Sequence, residues 1–146
     1  MRLDKEYKIR GVQDDDHNFI MNSWLSNLSN CMPFFRAVDM VYKHQRKRIN
    51  KLFDRDTLRI KVACAVDDPN EVFGFIVAEP ATNTVHYCYV KSAFQKWGIG
   101  RQLLNAVTSA GTITITQYSY DLRSMRKDKK LPARIVYNPY WFEEQE

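Results

Sequence analysis

The stretch that decides the fold reads Val90-Lys91-Ser92-Ala93-Phe94-Gln95-Lys96-Trp97-Gly98-Ile99-Gly100-Arg101-Gln102-Leu103-Leu104. An apolar run from Val85 feeds into it, and an amphipathic helix is expected to leave it at Gly98. Between the two stands Gln95-Lys96-Trp97-Gly98-Ile99-Gly100. Glycines at a strand-to-helix junction let the backbone come close to a ligand and turn its N–H groups outward. The positive end of the helix dipole points the same way. The pattern predicts a site for a phosphorylated cofactor, with the rest of the chain as its support.

Upstream of this stretch, the pattern is that of a sheet. Val72 to Ala78 is continuously apolar, as a central strand is. Before it, Leu58, Ile60, Val62, Cys64 and Val66 alternate with Arg59, Lys61, Ala63 and Ala65, which predicts another strand. Asp67-Asp68-Pro69-Asn70 is a turn, so these two strands form an antiparallel hairpin. Pro80-Ala81-Thr82-Asn83 makes the next turn, into the strand Val85 to Val90. Closer to the N-terminus, Tyr7 to Val12 alternates as a first strand. Asp14-Asp15-Asp16 then caps a helix with Phe19-Ile20, Trp24 and Leu28 on one stripe, ending at Ser29-Asn30. Pro33 suits the start of a second helix carrying Phe34, Ala37-Val38, Val41, Gln45, Ile49 and Leu52-Phe53.

Downstream, Ile99, Leu103-Leu104, Val107 and Ala110 mark a helix with Gly111 as its C-cap. Thr112 to Thr116 reads as a strand, and the strand–helix–strand unit predicts a parallel, right-handed crossover. Tyr120 to Lys130 is a short basic helix or a loop. Ala133 to Tyr137 fits a last strand, and Tyr140-Trp141-Phe142 an apolar group docked on the core. The class is α/β (α+β), with helices on a mixed sheet.

At 146 residues the chain is expected to form one domain, residues 1–146. No apolar run approaches the roughly 20 residues that span a bilayer, and Met1-Arg2-Leu3-Asp4-Lys5-Glu6 is too polar for a signal peptide. A cytoplasmic protein with no membrane partner is expected. The three cysteines, Cys31, Cys64 and Cys88, are widely spaced and the three histidines scattered, so no metal site is expected. Cys64 and Cys88 fall in apolar strands and read as buried free thiols. The net charge of +5 gathers in two runs, Lys43-His44-Gln45-Arg46-Lys47-Arg48 with Lys51, and Arg123 through Lys130. Such runs suit a solvated face, or nucleic acid and other anionic partners.

Tyr89-Val90 followed by Gln95-Lys96-Trp97-Gly98-Ile99-Gly100-Arg101 resembles the GNAT N-acetyltransferases. Their acetyl-coenzyme A motif is Gln/Arg-x-x-Gly-x-Gly/Ala after the fourth strand, and here the following Ile-Gly-Arg-x-Leu-Leu strengthens the match. The resemblance is close from Cys88 to Leu104 and extends in element order from Tyr7 through Thr116. It implies a mixed, mostly antiparallel central sheet with helices on both faces, and acetyl-coenzyme A as cofactor. By that resemblance, backbone N–H groups of Lys96, Trp97, Gly98, Ile99, Gly100 and Arg101 form a nest for the pyrophosphate, with Gln95 and Arg101 as side-chain donors. Tyr89 and Val90 would hydrogen-bond the pantetheine arm. A dinucleotide fold is the poorer match, because the loop sits late in the chain and residue 120 is Tyr.

The chemistry implied is acetyl transfer to an amine. It needs a neutral amine, a donor to the thioester oxygen and an acid for the thiolate. The resemblance assigns the oxyanion donor to the Val90 N–H. The acid falls to Tyr118 or Tyr120, with Tyr137 behind them. His86 is the strand histidine nearest the cofactor and the candidate base, and Glu79 ends the preceding strand. Trp24, Phe34, Phe35 and Tyr42 are available to line an acceptor cleft. The acceptor itself stays open between a small amine, a protein amine and an aminoacyl-tRNA. The alternative function is a weak or inactive GNAT-like module binding nucleic acid or a protein through its basic surfaces. The compact chain suits a bacterial or phage protein.

Overall fold

The computed structural model describes residues 6–31, 39–95, 98–117 and 134–144. The elements are β1 (Tyr7–Gly11), α1 (Asp16–Cys31), α2 (Asp39–Phe53), β2 (Arg59–Ala65), β3 (Val72–Glu79), β4 (Thr84–Val90), α3 (Ile99–Val107), β5 (Ile113–Ile115), β6 (Ile135–Tyr137) and α4 (Trp141–Glu144). The strands form a six-stranded sheet in the order β1-β2-β3-β4-β5-β6. The first four pair antiparallel, β4 pairs parallel with β5, and β5 pairs parallel with β6. Strand β3 lies inside the sheet and every residue from Val72 to Glu79 is buried, as its unbroken apolar run predicts.

The sheet has a core on each face. On one, Ile20, Met21, Trp24 and Leu25 of α1 and Ile49 and Leu52 of α2 pack on Ile60, Val62, Phe75, Val77 and Tyr87. On the other, Ile99, Leu103, Leu104 and Val107 of α3 pack on Phe73, Ile76, Val85, Cys88, Val90, Ile113 and Ile115. Removal of each such side chain from water contributes about 1.5–3 kcal/mol. Helices α1 and α3 therefore lie on opposite faces because their stripes match opposite sides of the same strands. Cys64 and Cys88 are buried free thiols. Trp141 of α4 joins the α1/α2 face, so of the expected aromatic group Trp141 docks on the core, whereas Tyr140 is exposed and the Phe142 side chain lies outside the described residues.

The start of α1 is held from both sides. The Asp16 carboxylate accepts from Arg10 Nη1 at 2.7 Å, Arg10 Nη2 at 3.0 Å and the Gln13 N–H at 2.8 Å. Burial opposes its charge, but the guanidinium and the amide prevail and hold its pKa below the usual carboxylate value. The acidic cap therefore also ties α1 to β1.

Two expectations change. Helix α3 ends at Val107, so Gly111 is not its cap; Thr108 is. Asn83, in a left-handed turn, captures the chain there: its Nδ2 donates to Ser109 O at 3.1 Å and Thr112 O at 2.9 Å, and Ser109 N donates to its Oδ1 at 2.8 Å. The hydrophobic pattern carried no sign of this contact between turns. Helix α1 runs on to Cys31, beyond Ser29-Asn30. Strand β6 pairs parallel, which requires a crossover and not a tight turn; residues 118–133, which include the basic run from Arg123, lie outside the described residues, as does the predicted helix start at Pro33.

Candidate functional site

The site forms where β4 and β5 part. Their pairing is Thr84 with Thr114 and Val85 with Ile115, both at the start of β4. Thr116 N donates to Val85 O at 3.2 Å, and β5 has already ended at Ile115 while β4 continues to Val90. The outer half of β4 thus leads from this vertex to the glycine loop.

The antiparallel ladder on the other side of β4 fixes which backbone groups face the opening. Lys91 N donates to Phe73 O at 2.8 Å, so Phe73 and Lys91 are a hydrogen-bonded pair. Such pairs alternate with non-hydrogen-bonded ones. Gly74 and Val90, next in register, are therefore of the second kind, and the Val90 N–H points away from β3. Cys88 is turned the same way. Tyr89, opposite Phe75, directs its backbone groups toward β3. That differs from the expected Tyr89–Val90 pairing with the cofactor: adjacent residues of a strand cannot both face the same edge. The Tyr89 ring instead lies 5.6 Å from that of Phe75.

Beyond β4 the chain is anchored by Phe94, whose ring stacks on Phe73 at 4.2 Å. The Gln95 side-chain amide turns back and donates to Val90 O at 3.2 Å. Lys91 Nζ lies 5.4 Å over the Phe19 ring, joining the strand end to α1. Gly98 caps α3 with φ 83°, a left-handed conformation that favours glycine. A Cβ there would meet nothing within 4 Å, so the requirement is conformational and not steric. The first helical bond runs from Gln102 N to Gly98 O at 3.1 Å. The N–H groups of Ile99, Gly100 and Arg101 therefore have no acceptor within the helix. They and the helix dipole make a cradle suited to an anion. Arg101 is exposed on this first turn, while Lys96 and Trp97 lie outside the described residues.

The catalytic candidates separate. His86 sits at the vertex, where the register of β3 and β4 shifts by one residue between Val77 and Ala78. It is 0% exposed. Its Nδ1 lies 2.8 Å from Thr116 Oγ1, and its Nε2 lies 3.9 Å from Glu79 Oε2. Burial lowers its pKa to about 4; the Glu79 charge opposes that shift and Arg55 adds to it. The imidazole is therefore neutral at physiological pH and enclosed, not at the rim of an opening. Glu79 is also buried and accepts from Arg55 Nε at 2.6 Å and Thr57 Oγ1 at 2.5 Å. The Trp141 ring covers this cluster, edge-on to His86 at 4.6 Å and under the Arg55 guanidinium at 4.9 Å. Tyr118 and Tyr120 lie outside the described residues, and Tyr137 is exposed on β6.

On the α1/α2 face, Trp24 stacks on Tyr87 at 4.9 Å and donates from Nε1 to Gln117 Oε1 at 2.7 Å. Gln117 Nε2 reaches Gln45 Oε1 of α2 at 3.4 Å. This bridge from α1 to the end of β5 to α2 was not foreseen, and no local spacing signals it, because its members stand far apart in sequence. Phe34 and Phe35, and the side chain of Tyr42, lie outside what is described. Among the described residues no group of His, Cys, Asp and Glu is arranged to hold a metal, and no helix is long and apolar enough to cross a membrane.

The arrangement matches known proteins. The family model described as acetyltransferase (GNAT) family matches residues 22–112. Among solved structures, the chain resembles a candidate acetyl transferase from Pyrococcus furiosus at TM-score 0.52 and 17% identity, covering 96% of this chain and 91% of that one. A candidate acetyltransferase from Clostridium difficile 630 matches at TM-score 0.52 and 14% identity, over 90% of this chain and 91% of that one. A candidate GNAT family acetyltransferase from Staphylococcus aureus subsp. aureus matches at TM-score 0.51 and 18% identity, over 89% and 98%. These likenesses concern the fold. No curated protein sequence matches the chain. With most of its length covered by the family model and its sheet opening beside a glycine-capped helix, the chain belongs to the GNAT acetyltransferase family.

Proposed function

We propose that the protein is an N-acetyltransferase that moves an acetyl group directly to an amine. Acetyl-coenzyme A is the cosubstrate of the family, and the residues present fit it. The observation that carries the reading is the continuity from the outward Val90 N–H to the α3 cradle at Gly98, Ile99, Gly100 and Arg101. The pyrophosphate would lie on that cradle, with Lys96 and Trp97 completing the loop. Val90, with Cys88 as the next outward-facing residue, would hold the pantetheine arm.

When bound, acetyl-coenzyme A supplies a thioester whose C–S bond breaks as the C–N bond to the amine forms. The Val90 N–H donates to the carbonyl oxygen as it gains negative charge. A tyrosine hydroxyl, from Tyr118 or Tyr120 after β5, gives its proton to the departing sulfur. The amine nitrogen releases its proton to water. His86 is assigned a supporting part: it holds Thr116, the residue at which β4 and β5 part.

The test is thermal unfolding with and without acetyl-coenzyme A. A hundredfold excess over Kd stabilises by about 2.7 kcal/mol, which moves the melting temperature by several degrees. Gly98→Glu should abolish the shift, since it strains the left-handed backbone and places a carboxylate in the anion cradle; Gly100→Glu, at a position without a positive φ, should act alike through its charge. Release of free thiol on a panel of amines reads the transfer itself. Absence of any shift at millimolar acetyl-coenzyme A overturns the proposal.

A further inference from the structure

From Lys43 onward the outer face of α2 carries positive charge, the helix's one acidic residue being Asp39 at its start. Between Lys43 and Phe53 stand Lys43, Arg46, Lys47, Arg48 and Lys51, and no Asp or Glu. Ile49 and Leu52 are buried against the sheet, while Lys43, His44, Arg46, Lys47, Asn50 and Lys51 are exposed. Lys43, Lys47 and Lys51 recur every four residues, so they line up along the helix at a rise of about 6 Å per step.

On a helix facing water, acidic residues four positions from basic ones stabilise, and like charges at that spacing destabilise the helix. Here the alignment is Lys on Lys on Lys. Asp39, four positions before it, can offset Lys43, and the helix dipole accounts for Lys51 in the last turn, but neither accounts for Lys47 or Arg46. Where α2 turns toward the protein, its charge is matched: Arg48 Nη2 lies 2.8 Å from Glu143 Oε1. Among the described residues, no carboxylate forms an ion pair with Lys43, Arg46, Lys47 or Lys51.

We infer that this face binds the phosphodiester backbone of a nucleic acid. A protein partner fits less well, because protein interfaces are centred on buried apolar and aromatic anchors. The large exposed apolar residues of the described chain are Val66, Val136, Tyr137 and Tyr140, none of them on α2. Phosphate contacts, by contrast, need only Lys, Arg and polar side chains such as Asn50. Association is then governed by counterion release and falls steeply with salt. This inference stands independently of acetyl transfer, since it uses no residue of the cofactor site.

The experiment titrates the full chain with a labelled RNA hairpin and a labelled DNA duplex of equal length, at several salt concentrations. The variant Lys43→Gln/Lys47→Gln/Lys51→Gln should bind both at least tenfold more weakly and shallow the salt slope by about 0.9 per lost phosphate contact. The control Lys8→Gln/Arg59→Gln/Lys61→Gln removes the same charge from β1 and β2 and should bind nearly as the parent does. A preference for one probe identifies the nucleic acid. Three results overturn the inference: no binding by the parent, equal loss in both variants, or displacement of the nucleic acid by polyglutamate at comparable charge concentration, which would make the face a general acidic-peptide site. Circular dichroism and the acetyl-coenzyme A melting shift, both expected unchanged in the α2 variant, separate this outcome from failure to fold or loss of the cofactor site.

Discussion

The Gln95 side-chain amide donates to the carbonyl oxygen of Val90, fastening the glycine loop to the end of the strand from which it departs. A residue first read as a phosphate donor is thus turned toward the protein. Its removal should act on cofactor affinity through the loop. A typical hydrogen bond contributes about 0.5–1.5 kcal/mol net, or roughly two- to tenfold. Gln95→Ala should raise the KM for acetyl-coenzyme A by that factor with little change in kcat. Gln95→Glu should be worse, because its carboxylate cannot donate and repels a diphosphate. Equal KM values for the parent and both variants, in steady-state kinetics, would exclude this role.

At Gly74, β3 and β4 leave no room for a side chain. A Cβ there would lie 2.5 Å from Tyr89 O and 3.1 Å from Val90 Cα, both backbone atoms. No rotamer change relieves that contact, so the strands must separate. Gly74→Ala should lower stability by about 1–3 kcal/mol, the usual cost of overpacking. It should also weaken acetyl-coenzyme A binding, because Val90 moves with the strand. Urea unfolding and the cofactor-induced melting shift measure the two effects.

Arg55 and Glu79 should respond unequally to mutation. Their ion pair spans 2.6 Å, yet the Glu79 side chain is 3% exposed and that of Arg55 34%. Removal of Arg55 leaves a buried charge that water cannot reach, which typically costs about 3–5 kcal/mol. Glu79→Gln leaves Arg55 free to hydrate and keeps an acceptor for Thr57. Arg55→Met should therefore destabilise more than Glu79→Gln in denaturant unfolding at neutral pH.

His86 should print a signature on acid stability. Its pKa falls from an ordinary 6.5 to about 4 on folding, chiefly through burial. Between those values the unfolded chain binds the proton and the folded chain does not, so stability is full above pH 6.5 and falls as pH drops toward 4. At about 1.36 kcal/mol per unit the loss approaches roughly 3 kcal/mol. The lowered pKa of Asp16 adds a separate loss at more acid pH, below the carboxylate range. His86→Gln should flatten unfolding free energy against pH between 4 and 6.5 and leave the Asp16 loss in place.

Much of this architecture was legible in local patterns. The unbroken apolar run of β3 announced a strand buried on both faces, and the alternation of β2 with the turn at Asp67–Asn70 announced its hairpin. The stripe at Ile99, Leu103, Leu104 and Val107 announced α3. The end of that helix was not legible, because Asn83 reaches it from another turn. Nor was the setting of His86: a histidine in a strand looks the same in sequence whether it faces a cleft or Thr116 and Glu79.

By itself the sequence determined the strand–glycine–helix junction, because a glycine that must adopt a positive φ, an apolar strand before it and a helical stripe after it are all local requirements. Only the tertiary structure decided which backbone groups that strand presents. The ladder with β3 sends the Val90 N–H toward the opening and the Tyr89 groups away from it. That choice depends on register between strands, which periodicity of one strand cannot carry. The same holds for the buried cluster of Glu79, Arg55, His86 and Thr116, whose charges and hydrogen bonds meet only when four separate segments pack together.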